Sequence, residues 1–351
     1  MNIEANVQTA APKVKPKLIR TAAPYIRDPK ASLRRIMYDV IIALLPVVAF
    51  SIYRLGWLAV SYVVVALLAM VGTEFLFYYI RKERFTLFNG TAIISALIYA
   101  MILPDSTPLW VVALGGVVGI FVSKLAFGGL GANIFNIAGF ARVFVGLSFG
   151  GWLGYDLFTD SLSGATVLGV LNQNLNVDAV SNVDLWTMFS GIGMPGSVGE
   201  TSALLIIVGA LYMFARRSFD WRIPVTYIST FAFLAAVAAF ASGASLMYVP
   251  IQVFSGGMMF GAVYMATDPV SAPTTMPGKI YYAFGIGAIN FLIRLFGALP
   301  EGTVFAIVIM NMFVPMLDYY RWAKPKFSAR SISVFAAVIV VLSTLIVVGV
   351  S

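Results

Sequence analysis

The sequence predicts an all-α membrane protein with ten or eleven transmembrane helices. Of its 351 residues, 60% are hydrophobic and only 11% are charged, whereas soluble domains carry about 25% charged residues. The apolar residues form long runs, which are typical of helices that cross a bilayer. The composition therefore excludes an ordinary soluble enzyme and a disordered chain.

Eleven apolar segments can be drawn along the chain. They cover residues 36–53, 57–80, 88–103, 109–127, 134–150, 201–216, 224–241, 250–267, 278–297, 301–318 and 332–350. Several are shorter than the roughly 20 residues that a straight span needs. Short segments interrupted by glycine are typical of transporter-like folds with broken helices.

The basic residues predict the orientation of these segments. If the N-terminus is cytoplasmic, 20 of the 23 Lys and Arg residues lie in inner loops or beside them, and the exceptions are Arg54, Arg142 and Arg294. An excess of Lys and Arg marks cytoplasmic loops. We therefore interpret residues 1–35 as a cytoplasmic tail and residues 151–200 as a long extracytoplasmic loop. The net charge of +8 then needs no nucleic-acid partner.

The chain contains neither Cys nor His. It therefore cannot form a disulfide, a cysteine-ligated iron–sulfur cluster or a histidine-ligated haem, and it has no histidine base. We predict no metal site. A redox function would require an organic cofactor, or a cofactor shared with a partner.

A weak internal repeat is visible in short motifs. Residues 88–90 (Phe-Asn-Gly) resemble residues 254–256 (Phe-Ser-Gly), and residues 133–135 (Asn-Ile-Phe) resemble residues 303–305 (Thr-Val-Phe), with offsets between 165 and 170 residues. Because five segments separate the copies, the second copy would cross the membrane in the opposite direction. Chance similarity between apolar, glycine-rich helices is the alternative.

This repeat predicts the organisation of the chain. Residues 36–150 and 201–320 would be two inverted five-helix repeats, and residues 332–350 would be an additional span. Inverted repeats place a cofactor or ion site near the midplane, between the two halves.

Ionisable residues within apolar segments are costly unless they are paired or face a cavity, so each is a functional hypothesis. The candidates are Asp39, Glu74, Arg142, Asp268, Arg294, Glu301 and Asp318. Glu74 could pair with Arg81 near the interface. Asp268 directly follows the eighth segment, where it could either cap a helix or bind an ion or cofactor oxygens. We select Asp268 and Glu301 as candidates for ion coupling.

Two amide side chains lie in a glycine-rich stretch at the start of the fifth segment. Asn133 and Asn136 follow Gly128, Gly129 and Gly131. Amides at membrane depth can hydrogen-bond an uncharged heterocycle or the carbonyl groups of a broken helix. Both residues are therefore candidates for binding a cofactor.

Residues 160–166 of the outer loop read Asp-Ser-Leu-Ser-Gly-Ala-Thr. By composition alone, small residues beside a hydroxyl are a weak signal for covalent modification. However, this stretch resembles the flavinylation motif of the family that contains the D subunit of the Rnf complex and the B subunit of the sodium-pumping NADH:quinone oxidoreductase. Further stretches resemble the same family in the same order: residues 24–46, 199–203, 260–269 and 300–315.

The resemblance implies that FMN is joined through its phosphate to Thr166, a modification of the phosphoprotein type. Asp160, Ser163, Gly164 and Ala165 would complete the attachment motif. It also implies a noncovalent riboflavin in the membrane part and a fold similar to urea transporters, which consist of two inverted five-helix halves. A periplasmic flavin transferase would modify Thr166, which agrees with the outer position predicted from the basic residues.

The chain also departs from the family pattern. Val167 follows the motif threonine where the family often has proline, and Ile137 follows Asn136 where the family usually has proline. Neither change removes the acceptor hydroxyl of Thr166. The change at Ile137 concerns how the fifth span begins.

The resemblance predicts a bacterial inner-membrane subunit of a complex that moves electrons between ferredoxin and NAD and couples this to Na⁺ or H⁺ transport. Other subunits would carry the iron–sulfur clusters, a second covalent FMN and the NAD site, so the chain would be inactive alone. The quinone reductase subunit is one alternative. A passive solute channel of urea-transporter-like fold is an alternative of a different class.

Overall fold

The computed structural model describes residues 33–82, 89–153, 185–191, 197–199, 202–255, 257–297, 302–319 and 329–350, which are helical with short connections and contain no β-strand. The α-helices are α1 (Leu33–Leu55), α2 (Trp57–Ile80), α3 (Thr91–Met101), α4 (Leu109–Ile120), α5 (Ile137–Ser148), α6 (Leu185–Ser190), α7 (Ala203–Arg216), α8 (Arg222–Ser242), α9 (Tyr248–Phe254), α10 (Met258–Phe260), α11 (Met276–Phe296), α12 (Thr303–Leu317) and α13 (Ala329–Val350). The chain is thus an all-α protein throughout its described part.

Five of these helices, α1, α2, α8, α11 and the Ile332–Val350 part of α13, are long and apolar enough to cross a membrane. Five shorter apolar helices, of 10 to 17 residues, lie at Thr91–Met101, Leu109–Leu125, Ile137–Ser148, Ala203–Arg216 and Thr303–Leu317. Together they account for ten of the eleven predicted segments. The multi-pass membrane architecture is therefore confirmed at this level.

The remaining predicted segment, the eighth at residues 250–267, is broken. It contains α9, then α10, and then a π-helical turn at Gly261–Met265. A similar π turn at Phe121–Leu125 continues α4. Such turns appear mostly as single turns within α-helices and are frequent at functional sites.

Capping explains why several helices begin where they do. α5 begins at Ile137 because Asn136 adopts an extended conformation and its side-chain oxygen accepts from the Gly139 N–H at 2.9 Å. Ser202 caps α7 in the same way. An asparagine cap satisfies a backbone N–H that the helix itself leaves free. The absence of proline at position 137 therefore does not prevent a helix start there.

Small residues allow the helices to pack closely. α4 packs against α2 and α5, and α11 packs against α8 and α12. A side chain at Gly119 of α4 would collide with the methyl group of Ala141 of α5, and one at Gly285 of α11 would collide with Met310 of α12. Contacts between small residues are typical of helix pairs in membranes.

Candidate functional site

A cavity lies among helices from both predicted halves. Its walls come from α1, α3, the loop before α5, the C-terminal end of α7 and the turn that follows α10. The enclosed space that is open to a water-sized molecule measures about 50 Å³. The walls are mainly apolar, with a few polar groups from Thr91, Ser95, Asn133, Asn136, Ser218, Thr267 and Asp268. Ligand sites in proteins typically combine these two features.

Asn136 connects the two halves beside this cavity. Its side-chain Nδ2 donates to the Met265 carbonyl at 3.2 Å, while its Oδ1 caps α5. Its backbone N–H donates to the side-chain oxygen of Asn311 in α12 at 2.8 Å, and the Asn311 amide nitrogen donates to the Tyr282 hydroxyl at 2.7 Å. The fifth predicted span is therefore tied by hydrogen bonds to the second half.

Asn133 lies on the same cavity wall and is 6% exposed. Its Nδ2 donates to the Phe135 carbonyl at 3.3 Å. The side-chain oxygen of Asn133 makes no hydrogen bond that involves the described residues. The sequence prediction that Asn133 and Asn136 form one polar patch agrees with this placement.

Asp268 borders the cavity from the opposite half. Its carboxylate accepts from the Ser271 hydroxyl at 2.8 Å and from the Val270 N–H at 3.4 Å. These bonds stabilise the turn that follows Asp268, and the next helix, α11, begins only at Met276. The choice between a capping role and an ion or cofactor site stays a prediction. The structure therefore brings three of the predicted site residues, Asn133, Asn136 and Asp268, to one cavity.

Glu74 does not pair with Arg81, so that expectation was wrong. The Glu74 Oε1 lies 2.7 Å from Nζ of Lys124, which belongs to the π turn after α4. Lys124 is fully buried and also donates to the Thr91 hydroxyl at 2.8 Å. The charge count had assigned Lys124 to the inner end of a span. No local pattern could reveal this pair, because its members are 50 residues apart.

Two buried arginines, Arg142 and Arg294, bind backbone carbonyl groups at the C-terminal ends of α3 and α9. Arg142 donates from Nε to the Ile102 carbonyl at 3.0 Å, just after α3 ends. Arg294 donates to the carbonyls of Gln252 at 2.8 Å and Ser255 at 3.2 Å. Irregular backbone at membrane depth requires such partners.

Asp39 is a buried residue at the contact between α1 and the end of α7, and not only an interfacial residue. The residue is 2% exposed. It accepts from Arg216 Nε at 3.1 Å, from the Tyr212 hydroxyl at 3.3 Å and from the Ser218 hydroxyl. These contacts fasten α1 to the end of α7, and Ser218 belongs to the cavity wall.

The remaining predicted site residues lie outside the described residues. These are Thr166, Asp160, Ser163, Gly164, Ala165 and Glu301. Their assignments stay predictions. Lys124, Thr91 and Tyr282 were not selected from the sequence, because their polar contacts come from elements that are distant along the chain.

Comparison with known proteins identifies the family. A sequence model of the NQR2, RnfD, RnfE family matches residues 19–326. The chain belongs to this family. The D subunit of the Na⁺-translocating ferredoxin:NAD⁺ oxidoreductase complex of Acetobacterium woodii is 36% identical over 303 residues, which cover 86% of this chain and 92% of that protein.

Two further relatives extend the comparison. The D subunit of the proton-translocating ferredoxin:NAD⁺ oxidoreductase complex of Clostridium ljungdahlii is 32% identical, with 88% of this chain and 96% of that protein covered. The B subunit of the Na⁺-translocating NADH-quinone reductase of Chromohalobacter salexigens is 39% identical, but only 66% of this chain and 58% of that protein are covered. The family thus joins D-type and B-type subunits of ion-translocating redox complexes.

Proposed function

We propose that this chain is the D-type membrane subunit of an ion-translocating complex that moves electrons between ferredoxin and NAD⁺. The observation that carries the proposal is the similarity to the D subunits over nearly their whole length. The B-type relative supports a quinone reductase as the second candidate, although it is matched over a smaller share of its length. The transported ion can be Na⁺ or H⁺, since the two D-type relatives differ in this respect.

We infer that the cavity beside Asn136 holds a noncovalent riboflavin. The walls are mainly apolar with a few polar groups, which is the combination typical of small-molecule sites. Because the enclosed space is only about 50 Å³, a flavin would have to move the walls apart. Its polar wall groups include amides and hydroxyls, which complement the carbonyl and imide groups of a flavin ring. A bound flavin would supply the capacity to accept and donate electrons, while this chain would bind the ring, orient it and limit its contact with water.

FMN on Thr166 is the second cofactor in this proposal. The support is the motif at residues 160–166 together with membership of the family. Partners would handle ferredoxin, NAD, the iron–sulfur clusters and a second covalent FMN, and a flavin transferase would load Thr166. Asp268 and Glu301 are kept as proposed ion-coupling residues.

Helix packing supports the proposed inverted repeat. α4 packs against α2 and α5 in the first half, and α11 packs against α8 and α12 in the second. The equivalent first helices, α1 and α7, pack against each other, as do the equivalent last helices, α5 and α12. Two halves related by a two-fold axis would produce these neighbours. With the basic residues inside, the cavity would lie toward the cytoplasmic side of a bacterial inner membrane.

The mass of the denatured protein tests covalent flavin attachment. We expect the chain made together with a flavin transferase to gain one FMN-sized adduct, and we expect Thr166→Ala to lack it. Ser181→Ala is the matched control, because it removes a hydroxyl from the same predicted outer loop but outside the motif, and it should keep the adduct. No adduct on the unaltered chain, with the transferase active on a control substrate, would contradict the proposal and favour the passive channel.

A further inference from the structure

The buried ion pair of Glu74 and Lys124 contacts the cavity wall through the hydroxyl group of Thr91. Glu74 in α2 contacts Lys124 after α4, and the same ammonium group contacts Thr91 at the start of α3. The distances from Lys124 Nζ are 2.7 Å to Glu74 Oε1 and 2.8 Å to Thr91 Oγ1. Thr91 lines the cavity, whereas Glu74 and Lys124 do not. The order from the helix bundle to the cavity is therefore Glu74, Lys124, Thr91.

The hydrogen bond from Lys124 leaves the Thr91 hydroxyl as a hydrogen-bond donor. Its oxygen accepts from Lys124, and it makes no other hydrogen bond with the described residues. The hydroxyl hydrogen is therefore available as a donor. A hydroxyl that accepts from an ammonium group becomes a stronger donor, since hydrogen bonds in a chain polarise one another.

The counter-ion allows the lysine to remain charged at this depth. An isolated ammonium group would be costly in the membrane interior, and pairing with a carboxylate removes much of that cost. The pair has no net charge, but its positive end is the one that contacts the cavity residue. The resulting dipole favours negative charge in the cavity over positive charge.

We propose that Thr91, polarised by Lys124, is a positioning residue that favours the reduced form of the flavin in this cavity. A reduced flavin carries more electron density on its ring oxygens and nitrogens than an oxidised flavin. A polarised donor therefore binds the reduced form more strongly. This inference rests on the proposed riboflavin site and assigns a role to three residues that the sequence did not bring together.

The test measures flavin content and midpoint potential in the purified complex. Thr91→Val removes the hydroxyl and keeps the side-chain shape, and we expect the midpoint potential of the noncovalent flavin to become more negative. Thr91→Ser retains the hydroxyl and should restore the original potential. Thr344→Val is the matched control, because Thr344 is exposed on α13 and bonds only within its own helix.

A second variant tests the lysine itself. The double substitution Lys124→Met with Glu74→Gln removes both charges together, so that no single buried charge remains. We expect it to shift the potential in the same direction as Thr91→Val. If a variant loses its flavin during purification, anaerobic titration with added riboflavin gives the dissociation constants of both forms. The preference for the reduced form should fall about tenfold, as expected for loss of one charge-assisted hydrogen bond.

The outcomes separate the two proposals. Absence of noncovalent flavin from the unaltered complex, together with no binding of added riboflavin, would overturn the riboflavin site. Flavin present in the unaltered complex, with the same potential or the same affinity ratio in Thr91→Val, would overturn the inference about Thr91 alone. A shift in Thr91→Val that Thr91→Ser does not restore would also overturn it.

Discussion

At the scale of single residues, the polar groups around the cavity act in pairs that join distant parts of the chain. Asn136 binds Met265 and Asn311, which lie 129 and 175 positions further along the sequence. Its position beside glycines was enough to predict a polar site. Its partners could not be predicted, because nothing in the sequence near Asn311 or Tyr282 indicates which helix they face.

Asn311 offers a direct test of this connection. Replacing it with leucine, which has a similar volume, would leave the buried Asn136 N–H without its acceptor. An unsatisfied buried donor costs about 1–3 kcal/mol, so we expect Asn311→Leu to unfold at a lower temperature in detergent. Tyr282→Phe removes only the far end of the same hydrogen-bond chain and should have a smaller effect. Equal unfolding temperatures for Asn311→Leu and the unaltered chain would contradict this account.

At the scale of helices, the sequence predicted where apolar segments lie better than where helices end or break. The α2 helix has the predicted bounds, residues 57–80. The fifth segment was drawn from residue 134, but α5 starts at Ile137 because Asn136 caps it. The break between α9 and α10 and the π turn after α10 both fall inside a segment that was drawn as continuous, since hydrophobicity alone reveals neither.

The contact between the start of α11 and the end of α12 also depends on hydrogen bonds that hydrophobicity does not reveal. Asp318, just after α12, accepts from the backbone N–H and the hydroxyl of both Thr274 and Thr275, at distances between 2.7 and 3.1 Å. Partial burial acts to raise the pKa of Asp318, but these four hydrogen bonds outweigh it and hold the pKa below its usual value. The charged carboxylate therefore fastens the start of α11 to the end of α12.

The lowered pKa predicts how this junction depends on pH. Because the pKa is lower in the folded state than in the unfolded state, the stabilisation is present above the unfolded pKa of about 3.9 and is lost as pH falls through the folded value. We expect Asp318→Asn to unfold at a lower temperature than the unaltered chain at pH 7, and the difference to shrink in acid. Asp105→Asn, at an exposed loop position, is the control. A difference that stays constant with pH would show that the charge is not responsible.

At the scale of the whole molecule, the basic residues and the repeat both predict that the two halves cross the membrane in opposite directions. Tyr53 and Arg217 lie at corresponding ends of α1 and α7, the first helices of the two proposed halves. If the halves are inverted, these two ends must lie on opposite sides of the membrane. The predicted orientation places Tyr53 outside and Arg217 inside.

Labelling of single cysteines can decide this, because the chain has no cysteine of its own. In intact spheroplasts, a membrane-impermeant maleimide should label Tyr53→Cys and should label Arg217→Cys only after the membrane is opened. Lys82→Cys and Gly151→Cys, at exposed positions after α2 and after α5, should behave as inner and outer markers. Labelling of both Tyr53→Cys and Arg217→Cys from the same side would exclude an inverted repeat. Exchanged sides would preserve the repeat but reverse the orientation, and Thr166 would then be inaccessible to a periplasmic transferase.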